Sequence, residues 1–325
     1  MRTFFSTHWK SILVLVILVL LAIFTMTPGA ATPELAARLR AHVLAIATSG
    51  PDSATAAELE RAARHIESAL AAQGYKLRRQ EYKVGGQRVR NIEVSITNVD
   101  AHARPERIFI VGARYDPAPD APAANDNGSG TAAVLELARL LRQVQPARGT
   151  EVKFVFFVNE ELPRFVGTQP RGADRAHAPR RAGPRVDGTP IVTAAGRYGL
   201  ARSGQHPAPE LEGRYPDSGN FIAFVGTRAS SEPVRLALAA FRGGAELPAE
   251  GLAAPSYVEG VTLSDHSSLN RLGYPALIIT DTAFLRYPYF HTSQDGEDKL
   301  DYEGMARVVK GLARTIGALA GGTRT

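Results

Sequence analysis

Apolar positions along the chain change period several times, and each change predicts an element. Residues 33–48 (PELAARLRAHVLAIAT) and 53–74 (SATAAELERAARHIESALAAQG) repeat apolar side chains at helical spacing. Ser53 reads as the N-cap of the second helix and Gly74 as its stop. Residues 75–98 alternate about Gly85-Gly86, which predicts a β-hairpin. Short apolar runs follow at RIFIVGARYD (107–116), EVKFVFFVNEE (151–161), TPIVTAAG (189–196), NFIAFVG (220–226) and YPALIITDT (274–282). The first two read as strands buried on both faces, and the others as further strands. Helical periods over 130–144, 231–243 and 301–319 alternate with them. The pattern predicts an α/β chain: a three-layer sandwich with a mostly parallel central sheet, an antiparallel edge hairpin and helices on both faces.

Two segments stand outside that pattern. Residues 12–26 (ILVLVILVLLAIFTM) are apolar with no amphipathic stripe, and Arg2 and Lys10 precede them. Residues 1–32 therefore read as a transmembrane anchor or a signal peptide, and the membrane is a partner through this segment. Lys10 would keep the N-terminus cytoplasmic, so the remainder, 33–325, is expected to be one exported domain. It would be anchored in the inner membrane, or periplasmic or secreted if the signal is cleaved. Residues 164–216, dense in Pro, Gly and Arg, read as a long insertion or lid.

Composition narrows the chemistry. The 325 residues contain no cysteine, which excludes disulfides and thiolate metal sites. A metal would need carboxylate and imidazole ligands. The formal net charge of +6 comes from scattered arginines. Their densest group, Arg164, Arg171, Arg175, Arg180, Arg181 and Arg185, lies in the Pro/Gly/Ala-rich segment, so no nucleic-acid partner is expected.

Polar residues collect where the apolar strands end. Arg114, Asp116 and Asp126 follow the 107–113 run, Glu160 and Glu161 close the next strand, and His291 lies in AFLRYPYFHTSQD after 274–282. Ligands of open sheets gather beyond such strand ends. Two carboxylates and an imidazole would suit zinc with one position left open. Adjacent glutamates on a strand face opposite ways, so one can bind metal while its neighbour acts as general base. In NDNGSG (125–130), Ser129 or Asn127 would alternatively cap the helix that follows. The SDHSS run (264–268) pairs serine with histidine, but no Gly-x-Ser-x-Gly elbow accompanies it.

The ordered motifs GARYD (112–116), AANDNGSG (123–130), NEE (159–161), SDHSS and YFHTSQD (289–295) resemble the M28 family of zinc metallopeptidases, which includes bacterial aminopeptidases and glutaminyl cyclases. The resemblance runs from about residue 35 to 320. It implies an exopeptidase hydrolysing peptides, with Glu160 as general base and Asp126, Glu161 and His291 as ligands of a first zinc. Asp116 would orient the group at 114, and Asp265 and His266 would lie behind the ligands or in the substrate pocket.

Two positions depart from the family pattern, and both belong to its second metal. Arg114 stands where a histidine is expected, and no carboxylate lies near Thr193, where an acidic ligand is expected. Arginine has no lone pair to offer a metal. The expectation is therefore one zinc ion, with the guanidinium near the vacated position, paired with Asp116 or facing Asp126. A substrate with a blocked or carboxylate end, an N-terminally modified peptide for example, suits a fixed cation better than a free amine does. The alternatives are an inactive binding ectodomain on the peptidase fold and glutaminyl-cyclase-like acyl transfer.

Overall fold

The structure, a computed structural model, describes residues 32–47, 56–84, 86–117, 121–158, 191–193 (backbone only), 215–216, 219–244, 246–258 and 260–324. The apolar run 12–26, Ser53, Glu160, Glu161 and nearly all of 164–216 lie outside these residues. Among the described residues, no helix is long and apolar enough to cross a membrane.

The chain opens with α1 (Thr32–Ile46) and α2 (Ala56–Ala72), which ends at Gly74 in the left-handed region, φ 79°. That conformation carries little penalty only for glycine, which is why the helix stops there. The hairpin follows as β1 (Arg78–Val84) and β2 (Gln87–Asn98), antiparallel as its alternation predicts. Then come β3 (Arg107–Arg114), α3 (Gly130–Leu141), a two-residue β4 (Val144–Gln145), β5 (Thr150–Phe157) and β6 (Ile191–Thr193). The C-terminal part adds β7 (Ile222–Thr227), α4 (Ser231–Arg242), β8 (Ala249–Ala254), α5 (His266–Arg271), β9 (Leu277–Thr280), α6 (Ala283–Arg286), α7 (Tyr302–Leu319) and β10 (Thr323–Arg324), which pairs with β4.

Among the described residues, eight strands form one sheet in the order β1-β2-β5-β3-β6-β9-β7-β8. The block β5, β3, β6 and β9 is parallel, so its four carboxyl ends share one rim. At β7 the direction reverses against β9, and β8 runs with β7. Strand β8 (AEGLAA) was not anticipated, because small residues and Gly251 hide its alternation. Alternate side chains divide between two faces. Phe109 and Val111 of β3 and Phe154 and Phe156 of β5 pack with the apolar stripes of α1, α2, α3, α4 and α7 in one core. Burying each such phenylalanine contributes roughly 2–3 kcal/mol. On the other face, Phe221, Ala223, Val225 and Ile278 pack with Val261. The long helices thus cover one face in the described residues, whereas helices were expected on both.

Glu136, fully buried on α3, ties three helices together. It accepts from Arg38 Nε at 3.1 and 3.2 Å, from Arg139 Nε at 2.6 Å and from His42 Nε2 at 3.1 Å. The other nitrogen of His42 lies 2.9 Å from His65 Nε2 on α2. Burial alone would raise the Glu136 carboxyl, but hydrogen bonds from His42, Arg38 and Arg139 outweigh it and hold it down at about 2. Burial and then the charges of His42 and Arg61 push His65 down to about 4. Both shifts are depressions, so both contributions are complete at neutral pH. That of His65 is lost as pH falls from 6.5 towards 4, and that of Glu136 below 4.5. Urea unfolding should therefore show stability dropping steadily from pH 7 to pH 3. Glu136→Ala should cost about 2 kcal/mol at pH 7, because it removes the acceptor that Arg38, His42 and Arg139 share and leaves a small void on α3. An unchanged midpoint in that variant would mean the cluster does not fasten the helices.

Candidate metal centre

The site begins where β3 runs out. Its last residue, Arg114, is buried, and Thr131 Oγ1 on α3 donates to the Arg114 carbonyl at 2.6 Å. Between strand and helix the chain turns tightly over Ala124–Ser129, with Ala123 left-handed at φ 59°. A Cβ on Gly130 would collide with the Asn127 side chain, so only glycine lets that side chain fold back over the start of α3. The Ser129 hydroxyl donates to the Asn125 carbonyl at 2.6 Å and makes no cap bond, so the simple helix-cap reading of NDNGSG fails for Ser129.

The turn is fastened from far along the chain. Asp295, fully buried, accepts the Asn125 N–H at 3.0 Å and the Asp126 N–H at 3.2 Å. Its carbonyl accepts the Ala124 N–H at 3.2 Å, and Tyr287 OH donates to Oδ1 at 2.9 Å. Burial pushes the Asp295 carboxyl up to about 6 despite these donors.

The result is a carboxylate held on both sides. Arg114 Nη2 lies 2.5 Å from Asp126 Oδ1, and His291 Nε2 lies 2.9 Å from Asp126 Oδ2. Burial would raise the Asp126 carboxyl, but the Arg114 charge and His291 outweigh it and keep it below its usual value. Arg114 is 4% exposed and His291 38%, so the imidazole side is the one open to solvent. His291 is itself left-handed, φ 55°, and its ring stacks on Phe290 with centroids 4.1 Å apart.

Arg114 therefore faces Asp126. Its expected partnership with Asp116 takes another form: Nη1 donates to the Asp116 carbonyl oxygen at 2.6 Å. Asp116 thus orients the guanidinium through its backbone. Asp265 and His266 are fully buried at the start of α5, where His266 Nε2 meets the Val261 carbonyl at 2.7 Å. Thr193 ends β6, pairing in register with Ile279.

Two acids here were not singled out from the sequence, Asp295 and Asp281. Asp281 closes β9, is buried, and accepts the Ala283 N–H at 3.0 Å. Burial, with the nearby Asp126 charge, raises its carboxyl to about 7. An acidic residue ending an apolar strand was the signal that marked Glu160–Glu161, and it would have found Asp281.

Residues 93–179 match the family model described as "Peptidase family M28". An Escherichia coli protein, YfbL, described as uncharacterized, is 33% identical over 78% of this chain and 78% of its own length. The chain belongs to peptidase family M28. Aminopeptidase YwaD of Bacillus subtilis is 49% identical over a short stretch, 17% of this chain and 12% of its own. Solved structures agree on the fold. The LapA aminopeptidase of Legionella pneumophila superposes with a TM-score of 0.63 at 19% identity, covering 90% of this chain and 74% of that one. A glutaminyl cyclase of Bacteroides thetaiotaomicron bound to N-acetylhistamine gives 0.61 at 18%, covering 86% and 97%. A Zn-dependent exopeptidase of Parabacteroides distasonis gives 0.57 at 20%, also covering 86% and 97%.

The donors of this M28 chain fit zinc as far as they are described. Around a tetrahedral ion, a carboxylate oxygen and an imidazole nitrogen stand roughly 3.3 Å apart. Asp126 Oδ2 and His291 Nε2 are already at 2.9 Å and have only to part slightly. Among the described residues no third His, Asp or Glu completes a metal group; the third expected ligand, Glu161, lies outside them. Asp295→Ala should uncouple this geometry. It leaves two buried N–H groups and the Tyr287 hydroxyl without their acceptor, at a cost of about 2–4 kcal/mol. Hydrogen exchange at Asn125 and Asp126 should accelerate together, and unchanged exchange would show that the turn holds without Asp295.

Proposed function

We propose that this M28 chain is a zinc-dependent exopeptidase with one metal ion, in which a fixed guanidinium takes the place of a second. The observation that carries this reading is the Arg114–Asp126 contact of 2.5 Å, with His291 on the other carboxylate oxygen. Asp126 is thereby divided, one oxygen given to a permanent cation and one left for a metal. Asp126, Glu161 and His291 would hold zinc, which when bound supplies a Lewis acid for the substrate carbonyl. Glu160 would take and return the proton as general base. Arg114 cannot accept a hydrogen bond from an ammonium group, so peptides with a modified N-terminus are the favoured substrates over free amines.

A second reading is acyl transfer of the glutaminyl-cyclase kind. It is motivated by the single ligand set that the sequence retains, Asp126, Glu161 and His291, which a one-metal reaction of that kind would use.

Metal analysis of the purified full chain should find about one zinc per chain, lost in Glu161→Ala. N-acetylated peptides should be cleaved faster than their free-amine counterparts, and Arg114→His should reverse that order. Release of pyroglutamate from an N-terminal Gln peptide without hydrolysis would favour the cyclase instead. A chain that binds no zinc would overturn both enzymatic readings in favour of a binding ectodomain.

We also propose that residues 1–32 export the domain. An alkaline phosphatase fused after residue 40 should be active in intact cells, and lose activity when residues 12–26 are deleted. An active deletion would refute the export signal.

A further inference from the structure

His291 meets Asp126 with an edge of its ring and Phe290 with a face. Its Nε2 lies 2.9 Å from Asp126 Oδ2. Its plane lies 12° from that of the half-buried Phe290 ring, with centroids 4.1 Å apart. Consecutive residues of a helix or strand point their side chains in different directions, so neighbouring rings stack only where the backbone turns between them. The left-handed conformation of His291, φ 55°, makes that turn. Residues with a Cβ seldom adopt it, and such outliers concentrate at functional sites whose surroundings hold them in place.

The backbone on both sides of His291 is tied down. The Phe290 N–H donates to the Tyr287 carbonyl, the Thr292 N–H to the Tyr289 carbonyl and the Asp295 N–H to the Thr292 carbonyl, each at 3.1 Å. The remaining freedom lies in the side-chain torsions of His291, which at 38% exposure has room to turn. A hydrogen bond to Asp126 fixes one ring atom and leaves the plane free to pivot about it. The plane decides metal binding, because the nitrogen lone pair lies in it and an ion is bound only along that direction. Face-to-face contact with Phe290 restricts the pivot.

We propose that Phe290 is a positioning residue of the metal centre. Its ring sets the plane of the His291 imidazole, so that Nε2 points at the ion shared with Asp126. The inference rests on the one-metal reading above and specifies how its imidazole ligand is held. Tyr289 provides an internal comparison, since it is the preceding aromatic residue and its ring packs edge-on against Tyr287, with centroids 5.5 Å apart.

The test uses the purified full chain as wild type, Phe290→Leu, Phe290→Tyr and Tyr289→Leu, with unchanged melting temperatures verifying the fold. Proton–carbon NMR of histidine-labelled, metal-free protein reads the stack, with the His291 signals assigned by their loss in His291→Gln. The ring protons of His291 should be shifted upfield by the Phe290 ring current in wild type and in Phe290→Tyr, and not in Phe290→Leu. Zinc affinity is read by competition with a chromophoric chelator. It should fall about tenfold in Phe290→Leu and stay near the wild-type value in Phe290→Tyr and Tyr289→Leu. Equal affinity in wild type and Phe290→Leu, no recovery in Phe290→Tyr, or an equal loss in Tyr289→Leu overturns the proposal and leaves the one-metal reading standing. A wild-type chain that binds no zinc overturns that reading and the proposal with it.

Discussion

Asp295 is the constraint on which the site's geometry depends. A single buried carboxylate gathers the N–H groups of Asn125 and Asp126, about 170 residues earlier in the chain. These donors sit in a turn too tight to satisfy them internally, and burial denies them water, so an external acceptor is obligatory. The carbonyl of the same residue takes the Ala124 N–H, which fixes the turn at three consecutive residues. Because Asp295 lies four residues after His291, the contact that shapes the Asp126 turn also delivers the histidine to it. One tertiary tie thus sets the distance between two residues 165 positions apart.

Arg114 completes the arrangement electrostatically. In water a unit charge pair at contact distance gains little, but a side chain only 4% exposed is barely screened. The guanidinium is held from behind by the Asp116 carbonyl, so its aim at Asp126 is set before any ligand arrives. This explains why Asp126 stays ionised in surroundings that raise Asp281 to about 7 and Asp295 to about 6. Among the described residues, only Asp126 of these three acids touches a permanent cation, and the three diverge accordingly.

The sequence made the local parts of this design readable. Continuous apolar runs marked β3, β5 and β9, and helical spacing placed α1, α2, α3, α4 and α7 to within a few residues. The site residues Arg114, Asp126 and His291 were legible because each follows a buried strand, where open sheets collect their chemistry. What stayed hidden was whatever depends on distant partners. β8 has too little contrast between its faces, and α5 is too short for a helical period to register. Glu136, His42 and His65 sit on three helices, and each alone looks like an ordinary polar residue on an amphipathic surface. Asp295 reads as a loop acid until the turn at 124–129 is seen folded against it. Whether Arg114 would meet a backbone oxygen or a carboxylate of Asp116 is likewise a matter of rotamer and packing, which no spacing rule encodes.

Charge conservation makes the one-metal reading coherent. Relative to the two-metal pattern this family resembles, an absent second zinc removes two positive charges. In the proposed reading, Thr193 in place of an acidic ligand would remove one negative charge, and Arg114 in place of a neutral histidine would add one positive. The changes cancel, so the field at the Asp126 oxygen facing His291 remains that of a cationic neighbour. A single change would not have this property. Arginine beside an intact second zinc would add a repulsive charge, and a lost acid without arginine would leave Asp126 with no permanent counter-ion. In the proposed one-metal site the two departures would thus offset each other in charge, which is what sets that proposal apart from independent loss of each ligand.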